Sequence, residues 1–283
     1  MNWLFFALIS VLIYSTKNLF QRILMKEEKS DPYLHSIVYY IFGGCIALII
    51  SLFNGGFQYE LSLEQLLLFI PLAFIATLGL VLLFKSFQTV EASENAIIQS
   101  SQKLWTVAGS FLFLSEIFSI KTALGTILIV AGIIISIWEN KKLKFNQGVL
   151  LAFAAALLYS ISDLLSFYLV RGMDPLSFMV YLYFLPVIIM IIAKPSSVPK
   201  LKVFFQPKRI MVLVWLALSS TVGSAFTFLA YKVGGTVGQI TVILGLTTIS
   251  SVLISIILLD ERKNLVKKII GAVVVVLGAL LVI

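Results

Sequence analysis

The sequence predicts an all-α membrane protein with ten transmembrane helices in two inverted five-helix repeats. Three observations lead there. The 283 residues are 60% hydrophobic and 12% charged, against roughly 45–50% and about 25% in soluble domains. Ten apolar segments recur along the whole chain, each near the ~20 residues that a helix needs to cross a bilayer. Five short motifs return in the same order in the second half.

The segments run about 3–24, 32–53, 65–88, 92–114, 120–138, 147–170, 176–193, 209–232, 236–258 and 266–283. The first, "MNWLFFALISVLIYSTKNLF", lacks a basic leading region and a small-residue cleavage site, so it reads as a span rather than a removable signal. Prolines 195, 199 and 207 predict a loop across "KPSSVPKLKVFFQPKR". Several spans carry internal polar residues, which makes nine spans the alternative to ten.

The repeat is visible in pairs. "YSTKNLF" at Tyr14 resembles "YSISDLL" at Tyr159, and "DPY" at Asp31 resembles "DPL" at Asp174. "LAFIATLG" at Leu72 answers "LALSSTVG" at Leu216, and "LFLSEIFS" at Leu112 answers "ILLDERKN" at Ile257. "LGTILIVAGIIISI" at Leu124 answers "IGAVVVVLGALLVI" at Ile270. The units are 1–140 and 146–283, five spans each. After an odd number of crossings the second copy starts on the opposite side, so the halves are inverted. Inverted repeats characterise secondary transporters, whose site lies near the midplane between the halves.

Other chemistries are poorly served. The net charge is +8, but the basic residues sit in short loops between apolar runs, which argues against nucleic acid. One cysteine, Cys45, forms no internal disulfide. With His35 as the sole histidine, a zinc site lacks ligands. There is no phosphate-loop motif for ATP hydrolysis.

With ten spans in two five-span repeats, the chain resembles the drug/metabolite transporter superfamily, EamA type. The matching motifs are "LSEI" at Leu114 and "LDER" at Leu259, each with a Glu after the fourth span of its repeat, and the G-x6-G pattern of the fifth and tenth spans. The resemblance covers the whole chain. It implies transport of amino acids, other metabolites, sugars or nucleotide sugars, with no required cofactor.

Three charges lie inside the spans. A Lys at a helix centre costs about 2.5–3.5 kcal/mol on insertion scales and usually faces a bundle interior. Lys103 is close to the centre of the fourth span. Asn95, Gln99, Gln102, Thr106 and Ser110 are its neighbours at helical spacing and form one polar stripe, whereas Leu104, Ala108 and Phe111 lie elsewhere on the wheel. The stripe reads as a cavity wall, and the plainer alternative is an ion pair that packs helices. Asp163 lies in the sixth span and is too short to snorkel. It pairs with Lys103 or with Lys17, between which the sequence does not choose. Lys17 either faces the cavity or snorkels to the headgroups. Asn18 is the repeat equivalent of Asp163. Tyr14 and Tyr159, also equivalent, offer hydroxyls and ring faces. The ninth span adds Gln239 and Thr247 on a neutral face. Glycines 125, 132, 271 and 278 predict close packing of the fifth and tenth spans, or a dimer interface.

The loops after the odd-numbered spans, with adjoining span ends, hold 16 of the 21 Lys and Arg. The positive-inside rule then puts both termini outside, whereas the family resemblance implies termini inside. The expectation is a secondary transporter in the cell membrane, a proton-coupled exporter or exchanger of a small polar or anionic organic metabolite. Its partners are the lipid bilayer, that metabolite and protons as coupling ion, and it is a monomer or homodimer. A flippase of the same fold would open laterally between helices. A membrane enzyme would need clustered carboxylates or histidines that the chain lacks.

Overall fold

The structure, a computed structural model, describes residues 2–25, 31–89, 92–114, 119–137, 147–205, 207–247, 250 and 265–282. These form ten α-helices and one 3-10 helix. The first five are α1 (Trp3–Met25), α2 (Pro32–Phe53), α3 (Leu63–Ser86), α4 (Ala92–Phe113) and α5 (Ile120–Ile137). They are followed by α6 (Gln147–Arg171), α7 (Pro175–Ala193), α8 (Pro207–Lys232), α9 (Val237–Leu244) and α10 (Leu265–Val282). Helices α2, α3, α6, α7 and residues Ile210–Lys232 of α8 are long and apolar enough to cross a membrane. Shorter apolar stretches occupy Trp3–Ser15, Ile120–Gly132 and Ile269–Leu281. The polar stripe of α4 dilutes its hydropathy.

The helix starts follow from local chemistry. Asp31 caps α2, accepting from Tyr33 N at 2.9 Å and Leu34 N at 3.4 Å, with Pro32 at the first position. Asp174 does the same for α7, accepting from Ser177 N at 2.7 Å ahead of Pro175. The repeated "DP" is thus one capping device used twice. Ser62 and Gln65 form a reciprocal capping box on α3.

Two expectations change. The segment between α7 and α8 is a 3-10 helix, Pro195–Phe205, rather than an irregular loop. Prolines hold φ near the value such a turn needs. The ninth span is not continuous. Helix α9 ends at Leu244, Gly245 is a turn, and residues 246, 247 and 250 are helical again. Most of the rest of that span, and both carboxylate turns at Glu116 and Glu261, lie outside the described residues.

The packing of the halves is crosswise. Helix α1 lies on α8, and its counterpart α6 lies on α3. Helix α2 packs on its own counterpart α7, and α5 on α10. Exchanging helix n for helix n+5 maps these pairings onto themselves, which is a two-fold pattern. The α5–α10 contact is made by the glycines. A methyl on Gly132 would lie 2.6 Å from Gly271 O, and one on Gly278 would lie 2.7 Å from Gly125 O. The two backbones therefore touch, as close helix packing in lipid requires. Away from these contacts the helices present apolar side chains outward. In α3, Leu66, Ile70, Phe74 and Leu78 form an exposed row at steps of four.

Candidate functional site

Helix α4 brings its polar stripe against α6. Gln102 Nε2 donates to Asp163 Oδ2 at 2.9 Å, and Thr106 Oγ1 donates to the same oxygen at 3.4 Å. Thr106 is fully buried. Lys103 lies within electrostatic reach of Asp163, and the other lysine weighed from sequence, Lys17, has its side chain outside the described residues. Gln99 Nε2 donates to the Ala152 carbonyl at 3.0 Å, tying α4 to α6 one turn lower. On the opposite face, Leu104, Trp105 and Phe111 are exposed. The stripe is the inward face of α4, as its spacing requires.

Lys103 reaches the break in the ninth span. Its Cδ lies 3.5 Å from where a methyl on Gly245 would stand. The closer neighbour is Ile129 of α5, whose Cγ2 would lie 2.7 Å from that methyl, so glycine leaves room for the isoleucine, with the lysine stem in ordinary contact beside it. The carbonyl end of α9, which carries partial negative charge, terminates beside it.

Tyr14 and Tyr159 both lie within electrostatic reach of Asp163. Tyr14 donates to or accepts from Ser224 Oγ at 2.8 Å and packs on Gly223 of α8. Tyr159 packs over Gly79 of α3. Side chains of Lys17, Asn18 and Asn95 lie outside the described residues. Gln239 bonds locally: its backbone N–H donates to the capping Thr236 Oγ1 at 3.2 Å, and Thr236 Oγ1 donates to Gln239 Oε1 at 3.2 Å. Thr247 Oγ1 donates to Leu244 O at 2.7 Å, just beyond the break.

The sequence reading missed a second wall. The rings of Tyr39, Tyr40 and Tyr183 stand 5.6–6.2 Å apart. Counting from the equivalent caps Asp31 and Asp174, Tyr40 and Tyr183 occupy the same repeat position. The pseudo-two-fold axis therefore passes between them. Tyr183 is within hydrogen-bonding reach of Thr221, Ser224 and Tyr39. Ser220 Oγ is fully buried within hydrogen-bonding reach of Tyr39, although no bond of good geometry closes on it among the described residues. A signal existed. Membrane tyrosines gather at the headgroup belts, whereas Tyr39, Tyr40 and Tyr183 fall well inside α2 and α7.

The result is one polar region inside the bundle. A carboxylate and an ammonium approach it from α6 and α4, and tyrosines and small hydroxyls from α1, α2, α6, α7 and α8. It offers hydrogen bonds, ring faces and both signs of charge. Among the described residues no group of three or more His, Cys, Asp or Glu is placed to hold a metal ion.

The sequence profile of the EamA-like transporter family matches residues 1–138 and again 146–283. No curated protein matches the chain. A solved crystal structure superposes with a TM-score of 0.78 at 14% identity, covering 98% of this chain and 94% of the other. At that identity the likeness shows the fold alone.

Proposed function

Because the chain belongs to the EamA-like transporter family, we propose that it moves a small polar organic metabolite through the central site between its two repeats. Membership makes it an integral membrane transporter of the drug/metabolite type. The solute and the coupling are our reading.

The observation that carries it is the Gln102–Asp163 contact of 2.9 Å beside Lys103. Ionisable groups within a membrane are expensive and mark solute or ion pathways. Here they sit where α4 and α6 meet, next to a broken helix, an arrangement that transporters place at the midplane. The crosswise packing supports alternating access by exchange of the two halves. Because each half has five spans, that exchange relates opposite sides of the membrane. The site holds a lysine and a carboxylate within electrostatic reach of each other. This favours a polar or zwitterionic solute over a simple anion. Asp163 serves as the proton-coupling group, and the cell membrane is the proposed location, with termini outside by the distribution of basic residues.

The test is uptake into liposomes holding the purified protein. The panel contains sugars, zwitterions, organic cations and organic anions, each with and without an imposed pH gradient. Gradient-dependent uptake of one class supports the reading. A folded protein that moves none of them sinks it.

A further inference from the structure

The two halves are equivalent in sequence but not in contact. Tyr14 and Tyr159 occupy the same repeat position, and so do Gly79 and Gly223. The fold pairs them crosswise, Tyr14 of α1 on Gly223 of α8 and Tyr159 of α6 on Gly79 of α3. The pairings differ in closeness. A methyl on Gly223 would stand 2.7 Å from Tyr14 Cδ1 and Cε1. A methyl on Gly79 would stand 3.6 Å from Tyr159 Cε1 and 3.4 Å from Leu158 Cβ. The first distance leaves no room for a side chain, and the second is ordinary contact. The tight seat is further locked by the Tyr14–Ser224 hydrogen bond of 2.8 Å. On α1 the same seat is braced by Ser10 Oγ donating to Gly223 O at 2.8 Å.

We propose that these two tyrosine-on-glycine seats are alternating latches flanking the Asp163 site. One is closed while the other is slack, and the transport step exchanges them. Three observations support this. The seats are related by the repeat, so swapping the conformations of the halves carries the geometry of one onto the other. Each belongs to a helix pair that joins the two repeats, so tightening it moves one repeat against the other. Both tyrosines lie within electrostatic reach of Asp163, so a change of charge there acts on both latches. A contact that opposite sites share in two discrete arrangements is the kind of element that couples a ligand to a global change. Gly79 is then a positioning residue. Its missing side chain is needed in the conformation not seen here, where Tyr159 takes the place that Tyr14 now has. The inference rests on the transporter reading for its purpose, but its test needs no solute.

Spin labels at exposed Phe5 and Val233 report the α1–α8 separation, and labels at exposed Leu63 and Arg171 report α3–α6. Cys45 is replaced by Ala in all variants, and proteins are reconstituted in lipid nanodiscs. Gly79→Ala is expected to keep the wild-type unfolding temperature. It should deplete the conformer with α3–α6 closed about tenfold or more, as overpacking there demands. Gly223→Ala should deplete the conformer with α1–α8 closed by a similar factor. Tyr14→Leu vacates the same seat without adding bulk and should shift the distances in the same direction as Gly223→Ala, which covers a Gly223→Ala protein that fails to fold. Wild-type distance distributions in both Gly79→Ala and Tyr14→Leu would overturn the proposal. So would a Gly79→Ala protein that unfolds as readily as Gly223→Ala, because the seats would then be equally tight. Loss of uptake by the wild-type protein in the liposome panel would count against the transporter reading alone and leave these distances to decide the latches.

Discussion

Gln102 and Asp163 are 61 residues apart in sequence and 2.9 Å apart in space, joined across the α4–α6 contact by a hydrogen bond from amide to carboxylate. Thr106 adds a second donor to the same oxygen. These bonds fix a charged group inside a bundle whose outer surface is apolar. Several consequences are measurable.

Asp163→Asn keeps the size of the side chain and an acceptor for Gln102, but removes the charge that faces Lys103. Uptake of the solute found in the liposome panel should fall at least tenfold, and its response to an imposed pH gradient should flatten. Purified, reconstituted protein is the material to measure. Wild-type rate and wild-type pH response would show that the carboxylate only packs helices.

Lys103→Met retains a stem to lie against Gly245 and discards the ammonium. The single variant leaves the Asp163 bonds from Gln102 and Thr106 in place. Combined with Asp163→Asn it should be less destabilised than the two single variants sum to, with a coupling of about 0.5–3 kcal/mol, the range for contacting residues. Thermal unfolding of the four proteins in one detergent gives the cycle. Additive losses would mean that the two charges do not interact.

Ser220→Ala separates stability from transport. Its hydroxyl is buried without a closed bond, and removing such a group is neutral or stabilising by about 1 kcal/mol. If solute supplies the missing partner, uptake falls while the unfolding temperature holds or rises. An Ala variant that is less stable and transports normally would assign Ser220 to packing.

Gly132→Ala puts a methyl 2.6 Å from the Gly271 carbonyl and 2.9 Å from Val275 N, both backbone atoms that have little freedom to yield. Overpacking of this kind costs about 1–3 kcal/mol. Gly172→Ala is the control, because its methyl meets nothing nearer than 3.6 Å. The unfolding temperature should drop for the first and stay level for the second. Equal behaviour of the two would deny that α5 and α10 touch through their backbones.

Orientation is open to chemical labelling. With Cys45 replaced, a cysteine at Asn2 should react with an impermeant reagent from outside intact cells, and one at Lys200 should not. The expectation follows from the loops that hold 16 of the 21 basic residues. The reverse pattern would turn the whole assignment over.

Much of the architecture was legible because it depends on short-range patterns. Runs of apolar residues gave helix bounds within a few residues for nine of the ten, from Trp3–Met25 to Leu265–Val282. The repeated "DP" marked two starts, since an Asp cap and a following Pro act locally. The break at Gly245 was not legible. A single glycine within an apolar run is common, and only the close approach of Ile129 and the end of the α9 hydrogen bonds distinguish this one. The bond from the capping Thr236 to the Gln239 side chain was equally illegible, because helical period places Gln239 on a face but does not name its partner.

By itself the sequence determined the membrane class, the two units and the inward face of α4, because hydropathy and the 3.6-residue period are properties of the chain alone. It also marked Lys103 and Asp163 as costly enough to need a reason. Only the tertiary structure decided which partner each found. Asp163 meets Gln102 and Thr106 because α6 packs on α4. Tyr14 seats on Gly223 and Tyr159 over Gly79 because the repeats pack crosswise. Tyr40 and Tyr183 meet on the axis between the halves. Helical periodicity says which residues share a face, but not which face of another helix will lie against it. In lipid that choice depends on close packing and interhelical hydrogen bonds, and these exist only once the helices are assembled.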